Sequence, residues 1–178
     1  MEHARFEELI MPHLDAAYNL ARWLARDAHD AEDVVQEACM RALKYINSLR
    51  GNEGRVWFLA IVRNAFYDWC ERNRPKEIAQ DDGTAIDAAI DLQSIGPEQS
   101  ASRNADSLAL ANALASLPLP YREVLIMREL EELSYKEIAR IADIPVGTVM
   151  SRLARARSML QRSPLLHAIS EQIPGGGA

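Results

Sequence analysis

Apolar residues recur along most of this chain at every third or fourth position, which is the spacing of one face of an α-helix. Three such stripes follow one another in the first part of the chain. We find no convincing alternation of apolar and polar residues, the pattern of a half-buried strand, so the sequence predicts an all-α protein. The stripes are Leu14, Ala17, Tyr18, Ala21 and Leu24; Val35, Ala38, Cys39, Ala42, Leu43 and Ile46; and Phe58, Val62, Ala65, Phe66 and Trp69.

Capping and helix-breaking residues set the expected bounds of these three helices. Pro12 suits the first turn of the first helix, and Asp30 is a good N-cap for the second. The loop of residues 48–54 separates the second helix from the third, which Pro75 ends because a residue before proline avoids helical geometry. Residues 1–75 are therefore predicted to form one small helical domain.

The next segment, residues 76–106, loses the helical spacing and contains turn signals at Gly83 and Gly96-Pro97. It carries seven acidic and two basic residues, a net charge of −5. A segment with this charge and little to bury is expected to be a flexible acidic linker with at most a short helical turn.

Helical spacing resumes after the linker and predicts a second small helical domain over residues 107–163. Pro118-Leu119-Pro120 interrupts it, and a further helix is expected to end before Ser134. Residues 164–178 contain Gly175-Gly176-Gly177 near their end and are expected to be a frayed tail. The stripe residues are Leu108, Ala111, Leu114 and Leu117, followed by Val124, Leu125 and Arg128.

Composition limits the possible functions. The 178 residues are 48% hydrophobic, enough for packed cores, and the formal net charge of −6 argues against bulk attraction to nucleic acid. Cys39 and Cys70 lie among apolar residues and are expected to be buried and reduced. No apolar run approaches the roughly 20 residues of a membrane span, and the N-terminus lacks a signal peptide. We therefore expect a cytoplasmic protein without membrane insertion.

A helix-turn-helix is predicted within the second domain. Ser134 and Glu137 have the spacing of a capping box, which starts a helix. Asp143-Ile144-Pro145 breaks that helix and the next begins near Val146, while the small Ala139 lets the two cross closely. Two short helices with this tight turn place the second helix in the major groove of DNA.

The second helix of this motif has one polar and one apolar side. Val149 and Leu153 face the core, whereas arginine and hydroxyl side chains share the opposite side. Such side chains bind base edges and phosphates. A solvated arginine-rich helix is the structural alternative. The polar side carries Thr148, Ser151, Arg152 and Arg155.

These motifs resemble a known family. "LPLPYREVLIMRELEEL" and "SYKEIARIADIPVGTVMSRLARAR" look like the fourth conserved domain of bacterial RNA polymerase sigma factors, and "DAEDVVQEACMRAL" and "WFLAIVRNAFYDWCERNRP" resemble the second. Two domains with only a linker between them are typical of the extracytoplasmic-function (ECF) group. The resemblance extends over roughly residues 5–162.

The resemblance implies that the helix-turn-helix reads the upstream (minus-thirty-five) promoter element. Met150 and Ala154 stand where many relatives carry a basic and a longer side chain, so the preferred sequence does not transfer. The expected contacts to this element are Ser134, Gly147, Thr148, Ser151, Arg152 and Arg155.

A group of mostly acidic residues lies on one face of the second helix. Helix capping by Asp30 is one explanation, and half of a metal site is another, although no histidine or cysteine on another element pairs with the group. The resemblance implies instead that this face docks on core RNA polymerase. Its members are Asp30, Asp33, Gln36, Glu37 and Arg41.

The outward side of the third helix is expected to carry basic residues interleaved with aromatic ones. The acidic Asp68 is expected on the same side. Cations follow phosphates and rings stack on unpaired bases, so this pattern suits single-stranded DNA, although exposed arginines on an amphipathic helix are common. The resemblance implies recognition of the minus-ten element, with residues 48–52 edging a pocket for a flipped base. The candidates are Ser48, Arg50, Asn52, Trp57, Arg63, Asn64, Tyr67, Arg72 and Arg74.

The function implied is that of a transcription initiation factor, which brings core RNA polymerase to promoter DNA and is held inactive by an anti-sigma factor. We expect no enzyme activity, cofactor, metal or small-molecule substrate. Another helix-turn-helix regulator is the main alternative, but residues 1–75 lack the strand–helix alternation of a receiver domain. A nuclease using Asp30, Asp33 and Glu37 would need a facing cluster, and His3, His13, His29 and His167 form no motif. The third alternative is an interaction protein that merely occupies the polymerase.

Overall fold

The computed structural model describes residues 1–75 and 101–164, without the side chains of 101–104. The described residues contain helices and no strand, so the all-α prediction is confirmed. The predicted linker up to residue 100 and the tail from residue 165 lie outside this description. The helices are α1 (Glu2–Leu9), α2 (Leu14–Ala25), α3 (Ala28–Tyr45), α4 (Gly54–Asn73), α5 (Ala101–Ser116), α6 (Leu119–Glu129), α7 (Tyr135–Ala142) and α8 (Val146–Gln161), with 3₁₀ turns at Met11–His13 and Ile46–Ser48.

Helices α2, α3 and α4 pack against one another to form the first block, residues 1–75. Their predicted stripes supply much of its core, in which Leu24, Phe58 and Phe66 are fully buried. Leu20, which is outside the predicted stripe of α2, is also fully buried. Burial of such side chains is worth roughly 1.5–3 kcal/mol each. The edges of the stripes, namely Leu14, Tyr18, Val35, Cys39, Leu43 and Trp69, are only partly buried.

Two helix starts in this block differ from the sequence prediction. Helix α1 precedes Pro12, which lies in the 3₁₀ turn between α1 and α2. Helix α3 begins at Ala28, because the extended backbone of Asp27 lets its Oδ1 accept a hydrogen bond from the Asp30 N–H at 3.0 Å. The N-cap is therefore Asp27, and the prediction of Asp30 was wrong.

The first residue of α4 touches the last residue of α1. A Cβ atom at Gly54 would collide with the backbone carbonyl of Leu9. Only glycine fits this position without a shift of one of the two helices. The contact fixes where the loop of residues 49–53 returns to the body of the block.

Helices α6, α7 and α8 form the core of the second block, residues 101–164, with Val124, Met127, Ile138 and Leu153 buried at its centre. Helix α5 begins at Ala101, so residues 101–106 are helical rather than part of an irregular linker as predicted. The apolar stripe of α5 is buried only from Ala111 onward, and Leu108 is 41% exposed.

The two blocks pack against each other, α2 on α6 and α4 on α7. No helix-to-helix pairing between the blocks was predicted from the sequence. Cys70 is buried, as predicted, whereas Cys39 is half-buried and not buried as expected. Within the described ranges, no helix has the length and apolar character that crossing a membrane requires.

Candidate DNA and polymerase interfaces

The helix-turn-helix is built by its caps. The Ser134 Oγ accepts a hydrogen bond from the Glu137 N–H at 3.2 Å, and a Glu137 carboxylate oxygen accepts one from the Ser134 N–H at 2.7 Å. Asp143 ends α7 in the left-handed conformation, with φ 53°, and Pro145 precedes α8. The predicted capping box and helix break are confirmed.

Helix α8 has one apolar side and one polar side. Val149, Leu153 and Ala156 are buried against α6 and α7. On the polar side Gly147, Ser151 and Arg155 are exposed, while Thr148 and Arg152 are half-exposed; Ser134 lies apart, exposed at the start of α7. The structure thus brings five of the six candidate residues for the upstream element onto one helix.

Local contacts prearrange part of this polar side. The Ser151 hydroxyl donates to the Thr148 carbonyl at 3.1 Å, which leaves its oxygen as an acceptor. An Arg155 Nη atom donates to the Tyr121 hydroxyl at 3.2 Å and is held close to α6. A Cβ at Gly147 would meet open space, so the packing within the chain does not require glycine there.

The candidate residues for the minus-ten element divide into two groups. Ser48, Arg50, Asn52, Asn64 and Arg72 are exposed, in line with the predicted outward side. Trp57, Arg63, Tyr67 and Arg74 are partly buried instead.

Arg63 and Tyr67 are covered by the second block. The Arg63 guanidinium donates to both carboxylate oxygens of Glu123, at 2.7 Å and 3.0 Å, and lies 4.2 Å from the centre of the Tyr67 ring. Burial, with the Glu123 carboxylate beside it, raises the pKa of Tyr67. The prediction that both side chains point to solvent is wrong for this arrangement, since Glu123 of α6 contacts them.

Arg74 was also predicted on the outward side and is engaged within the first block. It donates to the Ala25 carbonyl at 2.9 Å and to Asp30 at 2.7 Å, and its guanidinium lies 4.8 Å from the Trp69 ring centre. These contacts tie the end of α4 to the loop between α2 and α3. Arg74 is therefore a structural residue here, whatever its role toward DNA.

The candidate polymerase face on α3 is partly internal. Asp33 and Gln36 are exposed, but Arg41 bridges Glu37 at 2.9 Å and Asp68 of α4 at 2.6 Å. Asp30 pairs with Arg74, and burial together with neighbouring Asp27 raises its pKa despite that partner. In the residues that the structure describes, no group of three His, Cys, Asp or Glu side chains could hold a metal ion.

Comparisons with known proteins match both blocks. The family model described as Sigma-70 region 2 matches residues 9–75, and that described as Sigma-70, region 4 matches residues 107–160. The ECF RNA polymerase sigma factor SigW of Bacillus subtilis (strain 168) is 30% identical over 163 residues, which cover 88% of this chain and 87% of SigW. The chain belongs to the ECF sigma factors.

Two further sigma factors are similar to this chain over both blocks. The ECF RNA polymerase sigma-E factor of Escherichia coli (strain K12) is 37% identical over 142 residues, covering 74% of this chain and 72% of the relative. Among solved structures, the sigma factor RpoE in complex with the anti-sigma factor NepR from Bartonella quintana superposes with a TM-score of 0.71 at 32% identity, covering 91% of this chain and 96% of RpoE. Matches in both blocks disfavour a regulator of another class.

Apart from Arg63, the residues of this sigma factor that join the two blocks were not singled out from the sequence. Besides Arg63 and Glu123, Arg55 donates to the Glu131 carbonyl at 2.6 Å and lies 3.3 Å from its carboxylate. Two further contacts are Arg140 with Glu53 at 2.6 Å and Arg122 with the Leu24 carbonyl at 3.0 Å.

One signal for these contacts was present in the sequence. Arg122 and Glu123 directly precede four consecutive apolar residues, a pattern expected of a helix buried on every side. Charges on such a helix have to be paired, because burying them alone costs several kcal/mol, on the order of 3–5. The signal predicts that partners exist, but the partners lie far away in the sequence.

Proposed function

We propose that this sigma factor binds core RNA polymerase through α3 and directs it to promoters that α8 and α4 recognise. The observation that carries the proposal is the polar side of α8, where arginines and hydroxyls stand opposite a buried apolar side. A helix supported from behind by its own core can enter a major groove without rearranging. The protein contributes sequence recognition, and bond chemistry belongs to the polymerase.

The proposed contacts to the upstream element are on the helix-turn-helix. Arg152 and Arg155 supply donors for guanine edges or phosphates, and Thr148 and Ser151 supply hydroxyl groups. The backbone N–H group of Gly147 lies in the first turn of α8, where phosphates bind well. Ser134 is proposed to contact DNA from the exposed start of α7, but not through its N–H, which is bonded to Glu137.

The proposed contacts to the minus-ten element are on α4 and the loop before it. Exposed Arg50, Arg72 and Asn64 are available to the nontemplate strand in the described arrangement, and Ser48 and Asn52 edge the proposed base pocket. Trp57, Tyr67 and the charged Arg63 and Arg74 are proposed to join them. Stacking on aromatic rings is worth about 1–3 kcal/mol per base, which favours the melted strand.

The proposed polymerase-binding face is centred on Asp33 and Gln36, both exposed on α3. Arg41 holds Glu37 beside them and links the face to Asp68. Asp30 contributes by fixing Arg74 rather than as an exposed contact. A rigid, negatively charged face of this kind suits a basic partner surface.

We further propose that an anti-sigma factor holds the chain inactive in the cytoplasm. Support comes from RpoE of Bartonella quintana, whose structure is that of a complex with the anti-sigma factor NepR. The similarity to RpoE, with a TM-score of 0.71, supports a partner of the same kind for this chain. Co-purification of a partner from the native cell tests the proposal.

The function is tested by adding the chain to core polymerase and selecting promoter fragments from a random-sequence library. We expect tight, salt-sensitive footprints only when core is present, because a few phosphate contacts, each adding about 0.9 to the salt slope, cannot give tight binding alone. Asp33→Lys should weaken core binding by several kcal/mol, on the order of 2–5, with unchanged helicity. Glu7→Lys, an exposed acid on α1 rather than α3, is the control. Tight footprints without core, or equal core affinity of both variants, would contradict the assignment.

A further inference from the structure

Helix α8 exposes two rows of side chains, each with a spacing of four residues. Residues four apart lie on one face of a helix, so the two rows run side by side along α8. One row is polar and belongs to the proposed contacts with the upstream element, whereas the other is apolar and has been given no role so far. The polar row is Gly147, Ser151 and Arg155, and the apolar row is Val146, Met150 and Ala154.

The apolar row does not belong to the core of the second block. That core takes Val149 and Leu153 from α8, which are 0% and 1% exposed. Met150 is 53% exposed, and Val146, one turn earlier, is 38% exposed. A single exposed apolar side chain is ordinary on a protein surface. Two of them at successive turns, directly beside the proposed DNA contacts, extend the DNA-binding surface by an apolar strip.

A methionine recognises a base by a different chemistry from an arginine or a serine. Its thioether has no hydrogen-bond donor and is only a weak acceptor. Against a base edge with donors or acceptors, it would remove them from water without pairing them, which costs free energy. The 5-methyl group of thymine is the apolar group that base pairs present in the major groove. Thymine is therefore the base that fits Met150.

The hydroxyl group next to Met150 in the sequence agrees with this choice. Ser151 donates to the Thr148 carbonyl at 3.1 Å, so its oxygen is left as an acceptor. The donors in the major groove are the amino groups of adenine and cytosine. An acceptor beside an apolar side chain matches an A·T pair, in which adenine supplies the amino group and thymine the methyl group.

We propose that Met150, flanked by Val146, is a specificity-determining residue that contacts the 5-methyl group of a thymine in the upstream element. This inference rests on the proposed function and adds to it a base that the element contains. The arginines and hydroxyls of α8 supply hydrogen bonds to DNA. The apolar row discriminates between thymine and bases that lack the methyl group.

The test uses the full chain with core polymerase. Promoter fragments randomised in the upstream element are first selected with the parent. Each thymine of the selected element, on either strand, is then replaced singly by deoxyuridine, which pairs in the same way and lacks only the methyl group.

Three variants are measured beside the parent on the same fragments. Met150→Gln keeps the length of the side chain but makes it polar, and Met150→Leu keeps it apolar. Met11→Ala is the control, because it removes an exposed methionine of the first block, outside every proposed face.

For the parent, we expect deoxyuridine at one or two positions to weaken binding about three- to fivefold, the effect of leaving one apolar carbon unburied. Met150→Leu and Met11→Ala should show the same loss at the same positions. Met150→Gln should bind the thymine and deoxyuridine fragments equally. A variant that merely folds poorly would lose affinity for both fragments alike, so the ratio of the two affinities reports the methyl contact alone.

The inference is overturned if the selected element contains no thymine, or if deoxyuridine leaves the affinity of the parent unchanged at every position. It is equally overturned if Met150→Gln discriminates against deoxyuridine as strongly as the parent does. The selection step tests the proposed function separately. If the parent with core polymerase enriches no sequence, the proposed function fails and the inference fails with it, whereas an enriched element without methyl dependence overturns the inference alone.

Discussion

Single residues in this chain are constrained by contacts that their own segments do not reveal. Gly54 follows a polar loop and resembles an ordinary turn glycine, yet a Cβ there would meet the Leu9 carbonyl. Gly147 lies in the first turn of α8 with open space around it. The packing of the chain thus requires glycine at position 54, whereas it does not require glycine at position 147.

Gly54→Ala is expected to lower the free energy of unfolding by about 1–3 kcal/mol, because α1 or α4 has to move away from the new methyl group. Gly147→Ala is the matched control and should leave stability unchanged or raise it by up to about 1 kcal/mol, the helix preference of alanine. Urea unfolding of both variants and the parent gives the comparison. Equal midpoints for Gly54→Ala and the parent would show that the α1–α4 contact is not tight.

Helices begin where a side chain captures a free N–H, and α3 shows how closely two candidates can compete. Asp27 and Asp30 are both suitable caps, and the structure assigns the role to Asp27 because only it has the extended backbone of a cap. Asp30 instead reaches Arg74. At the start of α7 the sequence offered one capping box and the structure uses it.

Asp27→Ala should lower stability by about 0.5–2 kcal/mol at neutral pH, as loss of an N-cap does. The hydrogen bond from the Asp30 N–H lowers the pKa of Asp27 below its ordinary 3.8. The charged cap therefore stabilises the fold above that pH, and its contribution is lost as the pH falls through the lowered pKa. Thermal unfolding of parent and variant should differ at pH 7 and converge below 3.8, with Asp33→Ala as a surface control. If the difference in stability between the parent and Asp27→Ala stayed constant across this pH range, the charge of Asp27 would not contribute to stability.

At the level of α8, Arg152→Ala and Arg155→Ala should each weaken binding of the polymerase complex to the upstream element by about 1–3 kcal/mol while core affinity is unchanged. Arg162→Ala, an exposed arginine just past the end of α8, is the control. Footprinting on a selected promoter measures binding to the upstream element, and a separate core-binding assay measures the affinity for core polymerase. If core affinity falls and promoter contacts persist, the roles of the two blocks are misassigned.

The whole molecule is held together by contacts between sequence-distant helices. Arg122 joins the ends of α5 and α2 by donating to the Leu117 and Leu24 carbonyls at 2.8 Å and 3.0 Å. It is 1% exposed, so its charge is stabilised by several carbonyl oxygens. Because of this contact and the pair of Arg63 and Glu123, we expect the blocks to depend on each other for stability.

The tryptophans provide a test of that dependence, because Trp23, Trp57 and Trp69 all lie in the first block. Tryptophan fluorescence follows that block alone, whereas circular dichroism follows all helices. For the parent the two urea transitions should coincide, as expected of one cooperative unit. In Glu123→Gln the fluorescence and circular dichroism transitions should separate. In the control variant Glu129→Gln, which breaks only the pair with Arg157 inside the second block, they should coincide, as in the parent. Separate transitions in the parent would show that the packing of the two blocks contributes little to stability.

The sequence by itself determined the helices other than α1, the capping box, the helix-turn-helix and the two-part organisation, because each depends on neighbours within a few turns. It also indicated which side of α8 is apolar, since helical spacing decides that locally. The choice of Asp27 over Asp30, the need for glycine at position 54 and the covering of Arg63 and Tyr67 by Glu123 were decided only by tertiary structure. Each of these depends on a backbone conformation or on a partner up to 60 residues away in the chain, and no local pattern specifies such a partner.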